Sequence, residues 1–220
     1  MRIILLFLFS TIALALDPFA LVNREMGNGN YIYSLVILRN IKGDNQILSK
    51  RYFLEGICYT QVGDYPKAIA KFVEVRKLNI PVEGYFYELG KTLYFSLEHD
   101  KAKKSFLASI KHKSQIAGSL FYLAKIAKLK KDYRLAKVYI KQILELKDQN
   151  PQVIQDAQFQ LGDLHLKIAR DELKPSDMKP IVSKHVLPYF EKAIQILPSS
   201  VYAKKIEERA NLVRKKYDLL

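Results

Sequence analysis

A chain of 220 residues, 49% apolar and 26% charged, is long enough to bury a substantial core as one domain or two small ones. Fourteen Tyr and eleven Phe beside nine Gly and eight Pro exclude a disordered chain, and the single Cys58 excludes a disulfide framework. The net charge of +14 bears on partners, because a basic surface draws anionic ones. It is regional, with thirteen Lys or Arg against Asp132 and Glu145 between Lys101 and Lys147.

Arg2 precedes an uncharged apolar run from Ile3 to Ala15, and Ala13-Leu14-Ala15 sets small residues where a signal peptidase reads them. This predicts a signal peptide over residues 1–15, a mature chain from Leu16, and export to the periplasm or cell envelope. The run is shorter than the roughly 20 residues of a bilayer span, which favours cleavage over a retained anchor.

Beyond it, residues recur at a step of 34. Gly56, Gly90 and Ala124 are small, with Gly162 following after 38; Ala68, Ala102 and Ala136 repeat, as do Phe72, Phe106 and Ile140. Tyr65, His99 and Tyr133 each follow an acid: Asp64, Glu98 and Asp132. Small residues let two helices approach while aromatic and aliphatic neighbours fill the flanks, and Gly56 is expected to face Ala68. Gly63-Asp64 marks a break, Gly ending one helix and Asp capping the next.

Taken in order, the units span 16–48, 49–82, 83–116, 117–150 and 151–198. The first is degenerate, with Val22 in the Gly column and a soft Gly27-Asn28-Gly29-Asn30 turn; Asp17-Pro18 reads as its N-cap and first helical position. The last is split by a twelve-residue insertion within 168–184, where Pro175, Ser176, Asp177 and Pro180 predict a loop. Residues 199–220 read as a C-terminal capping helix with Tyr202, Ile206, Ala210, Leu212 and Val213 inward.

Tyr52, Gly56, Tyr59, Ala68 and Phe72, then Phe86, Leu89, Gly90, Ala102 and Phe106, then Leu120, Leu123, Ala124, Ala136 and Ile140 resemble the tetratricopeptide (TPR) pattern. The resemblance implies an all-α, right-handed superhelical solenoid of about five helix pairs plus the capping helix. It also implies that the first helix of each unit lines a concave groove. The column at the fifth position of the units from 49, 83 and 117, carried into the first and last units, is aromatic throughout: Phe19, Phe53, Tyr87, Phe121 and Phe159. Such a ladder suits an extended peptide or partner helix, or serves packing between units. One turn on, Lys91 and Lys125, with Lys128 nearby, would place positive charge in the groove. The carboxylate clamp of some TPR domains is not reproduced, because Phe53 and Ile57 occupy two of its positions.

His99, His112, His165 and His185 share no metal-ligand spacing, and no HExxH, phosphate-cradling loop or nucleophile elbow is present. His165 reads as a core-edge imidazole and Cys58 as a buried thiol. No catalytic residue, cofactor or metal is expected. The expected function is a non-enzymatic envelope adaptor binding a protein or peptide segment, acidic by preference. The alternative is electrostatic attachment of the lysine-rich second helices to an anionic envelope polymer or membrane surface. Nucleic acid is not expected, and oligomeric state is not legible.

Overall fold

The computed structural model describes residues 17–147 and 149–219. The expected signal peptide, 1–15, and its cleavage point lie outside the described residues. Every regular element described is helical. They are α1 (Ala20–Gly27), α2 (Tyr31–Asn40), α3 (Asn45–Gln61), α4 (Tyr65–Leu78), α5 (Tyr85–Phe95), α6 (His99–Lys111), α7 (Ile116–Leu129) and α8 (Tyr133–Glu145). There follow α9 (Pro151–Glu172), a 3-10 turn (Pro175–Asp177), α10 (Met178–His185), α11 (Leu187–Ile196) and α12 (Val201–Lys216). The chain is all-α, built of helix pairs with a single helix at the C-terminal end. No described helix is long and apolar enough to cross a membrane.

The pairs turn alike. At steps of 34, Gly29, Gly63, Leu97 and Lys131 hold positive φ of 80°, 83°, 66° and 59°. The residue after each donates its N–H back across the turn: Asn30 to Glu25 O at 2.8 Å, Asp64 to Tyr59 O at 2.9 Å, Glu98 to Leu93 O at 2.8 Å, Asp132 to Ala127 O at 2.9 Å. This is the Schellman arrangement, in which a left-handed residue satisfies the orphan carbonyls of a helix end. The next helix starts at once: Asp64 Oδ1 accepts from Lys67 N at 3.2 Å and Asp132 Oδ1 from Leu135 N at 3.0 Å. Four turns with one geometry are the backbone form of the sequence repeat.

Contacts divide the chain into two compact units, one reaching Ser105 and one running from Phe106 to Leu220. In the first, a Cβ built on Gly56 would lie 2.8 Å from Phe72 Cζ. The small residue therefore accommodates the ring sixteen positions on, and Ala68 is fully buried. Phe72 is the bulk that needs the gap. Its ring meets Phe53 edge-on at 6.1 Å and Tyr85 at 5.9 Å, and Tyr85 donates to Phe72 O at 3.1 Å. Thr60 and Thr92, both buried, share a hydrogen bond of 2.6 Å that ties α3 to α5. Cys58 is fully buried, and burial pushes its thiol up to about 12.

The second unit repeats the Gly–ring device at wider spacing. A Cβ on Gly162 would stand 2.5 Å from Phe190 Cε1. Between the two lie twelve residues more than between Gly56 and Phe72, which is the insertion. It is helical and not a loop: α9 runs on to Glu172, and α10 sinks Met178 and Val182 into the core beside Phe190, Ile206 and Val213. Pro180 causes no break because it stands in the first turn of α10, where its missing N–H is no loss. On α12 the inner stripe is Ala203, Ile206, Ala210 and Val213. Leu212, expected inward, is 64% exposed, since it lies about 100° around the helix from Val213.

Candidate functional site

The five aromatic residues of the ladder do not share one environment. Phe19 is 3% exposed within the first unit's core, with Lys50 Nζ 4.4 Å from its ring centroid. Asp17 prepares that entry by accepting from Phe19 N at 3.0 Å. Phe53 packs on Phe72, and Phe159 packs on Phe190 at 5.3 Å and on Tyr202 at 5.8 Å. Phe53 and Phe159 fill space next to the Gly–ring contacts, and Phe19 fills the first unit's own core. Tyr87 and Phe121 are half-buried, each within its own unit.

The cations also divide. Lys91, in the first unit, donates to Glu88 Oε2 at 2.9 Å and Oε1 at 3.2 Å, with its Nζ 5.4 Å from the Tyr87 ring. Its charge is matched one turn away on its own helix, so it does not supply the free positive charge expected of it. In the second unit Lys125 is exposed and lies over Tyr122, 4.9 Å from the ring centroid. Lys128, one turn on, is half-buried and forms no hydrogen bond or ion pair among the described residues. Burial first, and then Lys167 and Lys125, push its ammonium below the ordinary lysine range, against the pull of Asp163 and Asp156.

Those two carboxylates are engaged elsewhere. Asp156 accepts from Tyr202 Oη at 2.7 Å and from Gln160 Nε2 at 2.9 Å, and Asp163 accepts from Arg209 at 3.2 Å. Lys167 Nζ sits over the Tyr133 ring at 5.2 Å. Lys128 on α7 therefore feels a face of α9 whose acids are hydrogen-bonded within α9 itself and to α12. The sequence reading missed Asp156, Lys167 and Arg209, and took Tyr202 only as an inward residue of the capping helix. A signal was available: Asp156, Asp163 and Lys167 stand at i, i+7 and i+11, one face of one helix.

Beyond this surface, His165 is sandwiched with Tyr189 at 5.1 Å and His185 at 6.2 Å, and its Nε2 is buried without a partner. Burial, together with Lys137, His185 and Lys141, holds it neutral down to about 4. Among the described residues no group of three or more His, Cys, Asp or Glu could hold a metal ion.

No family model matches the sequence, and no curated protein matches it. The chain is similar to a solved TPR repeats protein from Bacteroides fragilis NCTC 9343, with 14% identity, 89% of this chain and 98% of that one covered, and a TM-score of 0.41. It is also similar to the C-terminal part of a TPR repeat-containing protein from Cytophaga hutchinsonii, with 16% identity, 90% and 87% covered, and a TM-score of 0.44. The TPR-like character of this chain stands on its own recurrence, at 34-residue steps, of turn, cap and buried core.

Proposed function

We propose that the chain is a non-enzymatic scaffold of the bacterial cell envelope that holds an acidic protein or peptide segment on the face carrying Phe121, Lys125 and Lys128. The observation behind this is Lys128. Lys128 is half-buried without a direct ion pair, and the carboxylates that pull on it, Asp156 and Asp163, are hydrogen-bonded to Tyr202, Gln160 and Arg209 instead. A carboxylate brought by a partner meets it together with Lys125, while Phe121 offers rigid apolar contact. Tyr87 gives the first unit a comparable aromatic contact, and Phe19, Phe53 and Phe159 serve packing. The envelope assignment rests on the pattern from Arg2 to Ala15.

The test titrates the mature chain with fluorescein-labelled hexaglutamate and reads polarisation. Lys128→Met keeps the apolar stem and removes the charge, and should weaken binding about tenfold, the worth of one charge-assisted hydrogen bond. Undiminished binding in the Lys125→Gln, Lys128→Met double variant rejects this face as the site. Capture of the mature chain on anionic vesicles that survives both substitutions would shift the function to the lysine-rich second helices.

A further inference from the structure

A second site lies in the same unit, away from Lys125 and Lys128. Helices α8 and α11 diverge over α9 and leave a cleft of about 440 Å³, lined by Lys141, Leu144, Glu145, Ile154, Gln158, Leu161, Tyr189 and Lys192. That volume falls in the range of about 300–1,000 Å³ typical of small-molecule pockets. Gln158 is 5% exposed and its Oε1 is buried without a hydrogen-bond partner. Gln155, nearly one turn earlier on α9, shows what a structural amide does there. It donates to Ala193 O at 3.0 Å and Leu197 O at 3.3 Å, and accepts from Ser200 Oγ at 3.3 Å. A buried acceptor left open beside so well satisfied a neighbour is spare hydrogen-bonding capacity in a residue that lines the cleft.

The remaining lining sets the rest of the ligand. Lys141 and Lys192, on opposite walls, are exposed and form no ion pair among the described residues, which suits a carboxylate. Glu145 adds an acceptor, and Leu144, Ile154 and Leu161 give an aliphatic lining. We propose that this cleft binds a small aliphatic zwitterion of the amino-acid type. Its carboxylate lies between Lys141 and Lys192, its ammonium faces Gln158 Oε1 and Glu145, and its side chain rests on the three aliphatic residues. The proposal does not depend on the acidic-segment reading, because the two sites share no residue.

The probe is L-leucine, followed by amide chemical shifts of the mature chain. Isocaproate, which lacks the ammonium, and isoamylamine, which lacks the carboxylate, are the controls. Leucine should give saturable shifts in α8, α9 and α11, and each control should bind about tenfold more weakly, the worth of one hydrogen bond to a charged group. Gln158→Met, close in size but without the acceptor, and the surface variant Lys192→Gln should each weaken leucine by a similar factor. Absence of saturable shifts with leucine overturns the proposal. So does isocaproate binding as tightly as leucine, or leucine binding unchanged in a folded Gln158→Met chain and in Lys192→Gln.

Discussion

Gly162→Ala tests the packing device on which both units are built. The added methyl would stand 2.5 Å from Phe190 Cε1, 2.6 Å from Phe190 Cδ1 and 3.2 Å from Val186 O. Carbon atoms rest about 3.5–4.0 Å apart, so the ring or a helix must yield by about 1 Å. Phe190 has little room, being fully buried against Phe159. Overpacking of this kind costs about 1–3 kcal/mol, while Ala gains about 1 kcal/mol over Gly inside a helix. Urea denaturation followed by far-UV circular dichroism should place Gly162→Ala below the parent by up to about 2 kcal/mol, the difference of those two effects. Gly56→Ala should follow in order of cost, its ring contact beginning at 2.8 Å. Gly27→Ala, where the methyl meets nothing within 4 Å, should cost nothing. In a Phe190→Leu background the same glycine-to-alanine change should turn neutral or stabilising, giving a coupling of about 1–3 kcal/mol. A coupling under about 0.5 kcal/mol, the level at which independent sites add, would refute the Gly–ring contact as the reason for the small residue.

Three further outcomes are expected. Leu97 occupies a left-handed turn position that costs a side chain about 1–2 kcal/mol, and it is 76% exposed. Leu97→Gly should therefore raise stability to urea by up to about 1.5 kcal/mol once glycine's greater unfolded-state entropy, about 0.5–1 kcal/mol, is subtracted. His165 is held neutral down to about 4 from an ordinary 6.5, so the unfolded chain binds the extra proton between those values. Thermal stability should thus be full above pH 6.5 and fall as pH drops towards 4, and His165→Phe should flatten that slope; an unchanged slope would dismiss the assignment. Cys58, buried with its thiol raised to about 12, should react with a disulfide reagent at about pH 8 only on unfolding, which labelling across a urea series will show.

The repeat was legible because several columns agree at one step, and helix pairing follows from small residues and turn signals that act locally. Gly63 announced its turn; Leu97 and Lys131 adopt the same φ without the residue that advertises it, carried there by the fixed ends of the helices they join. The ladder was harder to read, because an aromatic residue at position five says nothing about where the next ring falls. Phe53 and Phe159 are consumed by Phe72 and Phe190, which a sequence column cannot foresee. Lys91 was misjudged for a simpler reason. Glu88 stands three residues before it, the spacing of a helix ion pair, and takes up its charge.

The insertion falls in the second unit, where its length could have undone the Gly–ring contact. Twelve added residues could have displaced Phe190 from Gly162, yet the ring stays closer to the glycine than Phe72 does to Gly56. The extra length is absorbed by extending α9 through Glu172 and by folding α10 inward on Met178 and Val182, 2% and 0% exposed. An insertion that buries two apolar side chains is part of the core, and its removal would uncover the core it packs on, Phe190, Ile206 and Val213 among it. It also brings His185 to 6.2 Å from His165, whose other neighbour, Tyr189, lines the cleft. The inserted segment supplies none of the cleft lining itself and bears on it only through the His165 ring that Tyr189 stacks on. Deletion of residues 174–185 should lower stability to urea, and a chain equally stable without them would refute their place in the core.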